Sequence, residues 1–393
     1  LGQAVSPTTI IYILVGVIWG IIGGAIPGIS ASVAMSLLLP FTYGMNPLYS
    51  LPMLAAVYVG AEYGGSIPAI LIKTPGTGAA AATVLEGYEL NRKGLGGKAL
   101  CMSLYAGVLG GLISVIVLVF TTIPLSKFAL RFGPTEYFWM AIMGLSVVGA
   151  VSGKSPAKGF ISAIFGLWLA VIGMDSFTAT KRFTFGINRL SEGLEMIPVM
   201  VGLFAVSEVL RQIFGGEVFD VIKNKFKMTY PTKKEFRQCT PIVMICGAVG
   251  AVVGALPGAG ATIASFMCYT METKFSKHPE KFGTGIIDGI AASETANNAA
   301  TGGAMVPLLS LGIPGGNAAA VMMSALTLKG VQLGPLLLTN QPTYLSATFM
   351  SMIVTNILMV VVAMAIAKVF AQILAIPYSY LGPIILMLAL IGT

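Results

Sequence analysis

The densest set of polar side chains in this otherwise apolar chain lies in Asp288–Gly303, DGIAASETANNAATGG, where Ser293, Glu294, Thr295, Asn297, Asn298 and Thr301 crowd together between apolar runs. Short side chains and glycines let backbone amides and carbonyls reach a ligand, and Asn and Thr both donate and accept hydrogen bonds. Small and amide residues also join membrane helices to one another. A plain helix interface, however, does not require a Glu, an Asn-Asn pair and Gly-rich breaks so close together. The stretch that follows, PLLSLGIPGGNAAA, places Pro314, Gly315, Gly316 and Asn317 at the opening of another helix. In the first part of the chain, Lys73, Thr74, Pro75, Gly76 and Thr77 stand in the same way before an alanine run. A helix that starts after such a break points its free N–H groups and positive dipole end at whatever occupies the break, which suits a carboxylate. Lys73 either adds a full charge there or snorkels to the interface.

Ser30 and Ser32, with Thr262 and Ser265, follow two further Pro-Gly breaks and can complete a ligand shell or cap the new helix. The expected substrate set is therefore Ser30, Ser32, Lys73, Thr74, Pro75, Gly76, Thr77, Asn297, Asn298, Pro314, Gly315, Gly316 and Asn317. Glu62 and Glu294 are acids in apolar surroundings, where ionisation is expensive, so each is a candidate partner for a cation or proton. With Thr262, Ser265 and Thr295 they form the expected coupling-ion set, and Na⁺ is the only metal ion considered. No organic cofactor is expected.

The elements that must position these residues come in pairs. Gly20, Gly24, Pro27 and Gly28 recur as Gly250, Gly254, Pro257 and Gly258, and aligning Gly20–Ala34 with Gly250–Ala264 gives seven identities in fifteen positions. The second pair of breaks is Pro75-Gly76 and Pro314-Gly315, each preceded seven residues earlier by another proline, Pro68 and Pro307. Repeated, interrupted apolar segments point to a transport site. We divide the chain into a first half, residues 1–214, a basic cytoplasmic linker, 215–238, and a second half, 239–393. The basic loop Glu86–Lys98 corresponds to Lys329–Thr343, which holds one lysine. That opposite charge bias indicates inverted repeats. Thr9–Leu39 and Thr240–Met271 are each split near their centre, leaving arms of about 15 residues against the roughly 20 needed to span a bilayer. Each is either a re-entrant hairpin or a broken, tilted span. The glycine stripe Gly16, Gly20, Gly24 reads as a close helix-packing face.

Composition fixes the solvent. At 56% hydrophobic and 10% charged residues, with a mean hydropathy of +0.87, the 393 residues cannot cover a soluble domain. Long apolar runs (Leu100–Ile123, Met140–Val151, Phe160–Met174, Leu194–Ile213, Thr348–Ala367) and the lack of short alternating strands give an all-α multi-pass membrane protein. The net charge of +8 sits in short loops, which fits orientation by basic cytoplasmic loops and not a nucleic-acid surface. Counting spans backwards from the linker through the first half leaves 11 Lys and Arg inside, linker included, against 5 outside. Cys101, Cys239, Cys246 and Cys268 have neither metal nor redox spacing and read as buried thiols. With His278 as the only histidine, a zinc centre or a Ser–His dyad has no parts. Gly153-Lys154-Ser155 lacks the first glycine of a phosphate loop. The start, LGQAVSPTT, has no basic region of a signal peptide. Under the repeat, the spans from Phe160 to Ile213 lack partners, so the native chain is expected to continue for about 50 residues or more, through about two further helices.

The motifs GAIPGISAS, IKTPGTGAAAATVLEGY, LPGAGATIAS and EKFGTGIIDGIAASETANNAATGGAMVPLLSLGIPGG closely resemble those of the TctA family, the large membrane subunit of tripartite tricarboxylate transporters. The likeness covers essentially the whole chain. It implies a bacterial inner-membrane secondary transporter of about twelve helices that imports di- or tricarboxylates such as citrate on a Na⁺ or H⁺ gradient. It also implies a small four-helix membrane subunit and a periplasmic solute-binding protein as partners, and leaves homo-oligomerisation open. Lys73 departs from the neutral residue, often Asn, that the family pattern carries before the Pro-Gly. A passive organic-anion channel is the alternative within transport, and a membrane-embedded enzyme lacks the necessary side chains.

Overall fold

A computed structural model describes residues 6–26, 29–131, 155–175, 180–187, 229–258 and 260–373, with isolated positions between 133 and 210 and at 387. Met140–Val151 apart from Ile142, half of Leu194–Ile213, residues 215–228 of the linker and the Pro27-Gly28 dipeptide lie outside the described residues. The described part is helical apart from one two-residue strand pair, Gly173–Met174 with Lys181–Arg182. In the first half run α1 (Pro7–Ala25), α2 (Ala31–Thr42), α3 (Pro47–Gly64), α4 (Ser66–Ile72), α5 (Ala81–Arg92), α6 (Gly96–Ala129) and α7 (Pro156–Ala170). In the second follow α8 (Lys233–Ala255), α9 (Gly260–Phe275), α10 (Ile287–Leu311), α11 (Asn317–Leu328), α12 (Pro335–Asn340) and α13 (Pro342–Ile373). Among the described residues five helical stretches are long and apolar enough to cross a membrane: α1, α3 with α4, α6, α8 and α13 up to Ile366.

Helix starts follow local chemistry. Ser6 caps α1 through the Thr9 amide with Pro7 at the first turn, and Thr232 and Glu235 form a reciprocal capping box at α8. These starts correct two expectations. The leading arms of the interrupted segments are 19 and 23 residues, about 28 and 34 Å at 1.5 Å per residue, so each is long enough to span. Only the trailing arms, α2 and α9 at 12 and 16 residues, are short. The last residues of the basic linker, Lys233–Gln238, are already the first turns of α8 and not loop.

Glycines set the packing. A Cβ at Gly16, Gly20 or Gly24 would overlap the α3 backbone at Met53, Val57 and Ala61 in turn. In the second half a Cβ at Gly250 or Gly254 would overlap α10 at Ala296 and Ala300, and one at Gly303 would overlap Ala251 of α8. Lipid is as apolar as leucine, so membrane helices associate through such close backbone approach and not through a hydrophobic gradient. The two breaks of each half are then stacked on each other. A Cβ at Gly76 would overlap the Gly24 carbonyl oxygen, and one at Gly315 would come 2.8 Å from that of Gly254.

Contacts between the helices also fix their directions. Lys98, opening α6, pairs with Glu235, opening α8, at 2.6 Å, and Gln238 bonds both carboxylate oxygens of Asp288, opening α10. Hence α6, α8 and α10 all start at one end of the molecule, which carries the basic residues 92–98 and 233–237. The α3–α4 stretch runs toward that end: the Glu62 carbonyl accepts from Asn297 deep in α10, and Leu71 accepts from Asn91 beside the basic loop.

At the second breaks, α4 ends on Lys73 and α10 on Gly312, both left-handed, with φ of 62° and 73°. Gly is free in that region, whereas Lys pays a steric cost there. The Lys73 side chain is exposed, with Nζ 5.5 Å from the Tyr88 ring centroid.

If backbone contact at the glycines holds the helices in register, Gly24→Val and Gly254→Val should each cost on the order of 1–3 kcal/mol or more through overpacking. Gly44→Val, where a Cβ meets nothing within 4 Å, should be neutral. Thermal unfolding of the detergent-purified variants reads this directly, with equal melting of all three refuting it.

Candidate functional site

A cavity of about 400 Å³ opens where the breaks meet. Its polar wall consists of Ser30 and Ser32 at the start of α2, Thr77 and Gly78 before α5, Gly260 and Thr262 at the start of α9, and Gly316 and Asn317 at the start of α11. Tyr58 and Glu62 of α3 complete it. Four helix N-termini therefore converge on one space. Each brings N–H groups that its own helix cannot satisfy, together with the positive end of its dipole.

Local geometry aims these ends inward. The Ser30 hydroxyl caps α2 by accepting from the Val33 amide at 3.4 Å, and the Thr77 hydroxyl accepts from the Ala80 amide at 3.4 Å. Gly258 and Gly260 adopt φ of 81° and 63°, and the Gly258 amide donates to the Gly315 carbonyl at 3.1 Å, tying the break before α9 to the one before α11. In the first half the Gly76 amide donates to the Gly65 carbonyl at 3.0 Å. Across the cavity, a Cβ at Gly78 would lie 2.9 Å from the Thr262 hydroxyl oxygen, so the two halves face each other at close range.

Among the described residues lining the cavity there is no Lys, Arg or His, and Glu62 is the one full charge. Its Oε2 is buried without a hydrogen-bond partner among the described residues. The cavity can therefore hold an anion on backbone amides and hydroxyls, provided Glu62 is neutralised by a cation or proton.

Of the residues expected from sequence, the cavity brings together Ser30, Ser32, Glu62, Thr77, Thr262, Gly316 and Asn317. Thr74, Pro75, Gly76, Pro314 and Gly315 shape the breaks without lining it, and Lys73 points to Tyr88. Tyr58 went unnoticed in sequence; it stands one helical turn before Glu62, a spacing that would have placed it on the same face.

The Asn-rich stretch lies elsewhere, fully buried in α10. Glu294 accepts from the Thr83 and Ser103 hydroxyls (3.2 Å for Ser103), and Ser103 is itself 2.7 Å from Ser66. The Ser265 hydroxyl donates to the Ser293 carbonyl at 3.1 Å. Glu294 and Ser265 thus belong to a hydroxyl network joining α4, α5, α6, α9 and α10. Asn297 donates to the backbone carbonyl of Glu62, the cavity acid itself, at 3.1 Å, and Asn298 to the Glu294 carbonyl at 3.1 Å. The Oγ1 of Thr295 and the Oδ1 atoms of Asn297 and Asn298 have no partner among the described residues. Among those residues no cluster of His, Cys, Asp or Glu is suited to a metal ion.

Two cross-half anchors hold the site. Glu86, fully buried on α5, accepts from the Tyr269 hydroxyl at 2.8 Å and from the amides of Gly283, Gly285 (2.7 Å) and Ile286 (2.9 Å) before α10. Lys329, just past α11, donates to the carbonyls of Thr42, Tyr43 (3.2 Å) and Met45 (3.0 Å) at the end of α2. Burial pushes the Lys329 pKa below its ordinary value, so those carbonyls offset the loss of water around its charge.

Broken helices whose ends meet at a cavity lined in part by polar groups are an architecture of membrane transport proteins. The chain belongs to the tripartite tricarboxylate transporter TctA family, whose profile matches residues 10–393, and is thereby a membrane component of tricarboxylate transport. It is 37% identical over 389 residues to an uncharacterised 52.8 kDa protein of the TAR-I ttuC′ 3′ region of Agrobacterium vitis, covering 99% of this chain and 78% of that one. It is also 40% identical over 143 residues to an uncharacterised TAR-II ttuC′ 3′-region protein of the same organism, covering 36% of this chain and 59% of that one. No solved structure matches it.

Removing the Glu86 carboxylate strands three partly buried amides and the Tyr269 hydroxyl. Glu86→Ala should therefore destabilise the protein by about 3 kcal/mol and Glu86→Gln by less, since the amide retains one acceptor oxygen. Thermal unfolding of both variants provides the comparison, and an unchanged Glu86→Ala melt would contradict the anchor.

Proposed function

We propose that this chain is the permease of a tripartite system in a bacterial inner membrane, importing a di- or tricarboxylate such as citrate by symport with Na⁺ or H⁺. A periplasmic solute-binding protein delivers the substrate, and a small four-helix membrane subunit accompanies the permease. The observation that carries this reading is the meeting of four helix N-termini on a cavity with no basic side chain in its described wall. Such a site holds carboxylates through amide donors and dipoles and releases them more readily than a fixed lysine would.

Coupling follows from Glu62. An ionised Glu62 repels the substrate across a few ångströms of water-poor space, so the substrate binds well only when Glu62 carries a proton or a bound cation. Thr77 and Thr262 line the same cavity wall. Glu294, sealed within its hydroxyl network, serves as a second cation or proton position behind the first.

The two halves act as inverted repeats. Supporting this, the corresponding stretches α3–α4 and α10 run in opposite directions between the ends of the molecule, while each is packed against its own half's leading helix by the same glycine spacing.

In proteoliposomes supplied with the binding protein, uptake should concentrate labelled carboxylate only under an inward Na⁺ or H⁺ gradient. Equilibration without concentration would establish a channel instead. Thr77→Ala and Asn317→Ala should each lower uptake about tenfold or more, the worth of one hydrogen bond to an ionised carboxylate, at unchanged membrane levels. Glu62→Gln should bind substrate without dependence on the coupling cation. Normal, cation-dependent uptake by all three variants would overturn the site.

A further inference from the structure

Sharing no lining residue with the cavity, a groove of about 270 Å³ runs along the surface between α6, α8 and α13. Its walls are Cys101, Tyr105 and Leu109 of α6, Phe236 of α8, and Val360 and Met364 of α13. The Tyr105 and Phe236 rings pack edge to face at 4.8 Å across the groove. The Tyr105 hydroxyl meets that of Thr240 at 3.1 Å, so its polar tip is already partnered and the groove offers carbon surface.

One end of this groove is basic. Lys98 lies one turn before Cys101 and two before Tyr105, on the same face of α6, and Lys233 lies one turn before Phe236 on α8. Lys233, Lys234 and Arg237 are exposed. Against these four cations the first turns of α8 set one carboxylate, Glu235, already engaged by Lys98 at 2.6 Å. Exposed Tyr230 stands at the same level. An apolar slot beneath an aromatic pair, and Lys233, Lys234 and Arg237 at the membrane boundary with no carboxylate partner among the described residues, match one chemistry, an acyl chain joined to an anionic headgroup.

We propose that this groove is a binding site for an anionic phospholipid, with one acyl chain in the slot between α6, α8 and α13 and the phosphate on Lys233, Lys234 and Arg237. A lipid held there also bridges the openings of α6 and α8, the helices joined by the Lys98–Glu235 pair. Polar and zwitterionic lipids lack the charge to discriminate, and a partner helix would need no cationic rim.

The test uses the full chain in mild detergent with equal amounts of phosphatidylglycerol and phosphatidylcholine of matched chains, read by native mass spectrometry. The wild type should retain phosphatidylglycerol at least threefold over phosphatidylcholine. The exposed-residue variant K233A/K234A/R237A should bring that ratio close to one, and Val108→Trp, which fills the slot, should lose both adducts. A second reading avoids any folding defect in the tryptophan variant. Cys101 is the only partly exposed cysteine, the other three being buried. Phosphatidylglycerol should slow its reaction with N-ethylmaleimide several-fold in the wild type and not in the triple variant, with Cys101→Ser giving the background. A ratio unchanged by the triple variant, equal protection of Cys101 by both lipids, or a co-purifying polypeptide that protects Cys101 in place of lipid would each overturn the proposal.

Discussion

Everything in this structure depends on one requirement: a backbone N–H that its helix leaves unpaired cannot face hydrocarbon. Each interrupted helix creates several such groups. A chain that breaks four helices inside the membrane must therefore gather the broken ends around a shared polar space, walled from lipid by other helices. The buried α10, polar through Asp288–Thr301, and the glycine contacts of α1 with α3 and α8 with α10 build that wall. The cavity follows from where the breaks are forced to go.

This explains how an anion can be handled without a basic side chain in the described wall. Dipoles and amides at the starts of α2, α5, α9 and α11 supply partial positive charge, fixed in direction by the helices behind them. The neighbouring acid, Glu62, makes that potential conditional on a cation. Behind it, the Asn297 side chain grips the Glu62 carbonyl, so the site and the buried hydroxyl network around Glu294 are mechanically continuous.

The breaks and their pairing were legible in the sequence because Pro-Gly and Gly-x-x-x-Gly spacings are local patterns, and so were Ser30, Ser32, Thr77 and Asn317 as residues opening new helices. Two kinds of information were not. Which face of α10 meets the cavity is decided by packing on both sides, and a helix buried all round has no periodic stripe, so Asn297 and Asn298 looked like ligands although they lie behind the wall. The role of Lys73 was set by backbone and not by charge: it occupies a left-handed helix end where the second half uses Gly312, and its ammonium turns outward to Tyr88. The full length of α8 was hidden because its capping box lies inside the basic linker, where composition suggested only loop.

The anchor at Glu86 bears on how the protein is made. Its amide partners at Gly283, Gly285 and Ile286 lie 197 to 200 residues further along the chain. At about 5–20 residues per second of synthesis, the carboxylate on α5 waits roughly 10–40 s before the groups that will hold it leave the ribosome. During that interval the Glu86 carboxylate lacks the partners that bury it in the finished fold, and burying it unpaired is costly. The docking of α5 is thus tied to a segment of the chain that is made last of all its partners at this anchor.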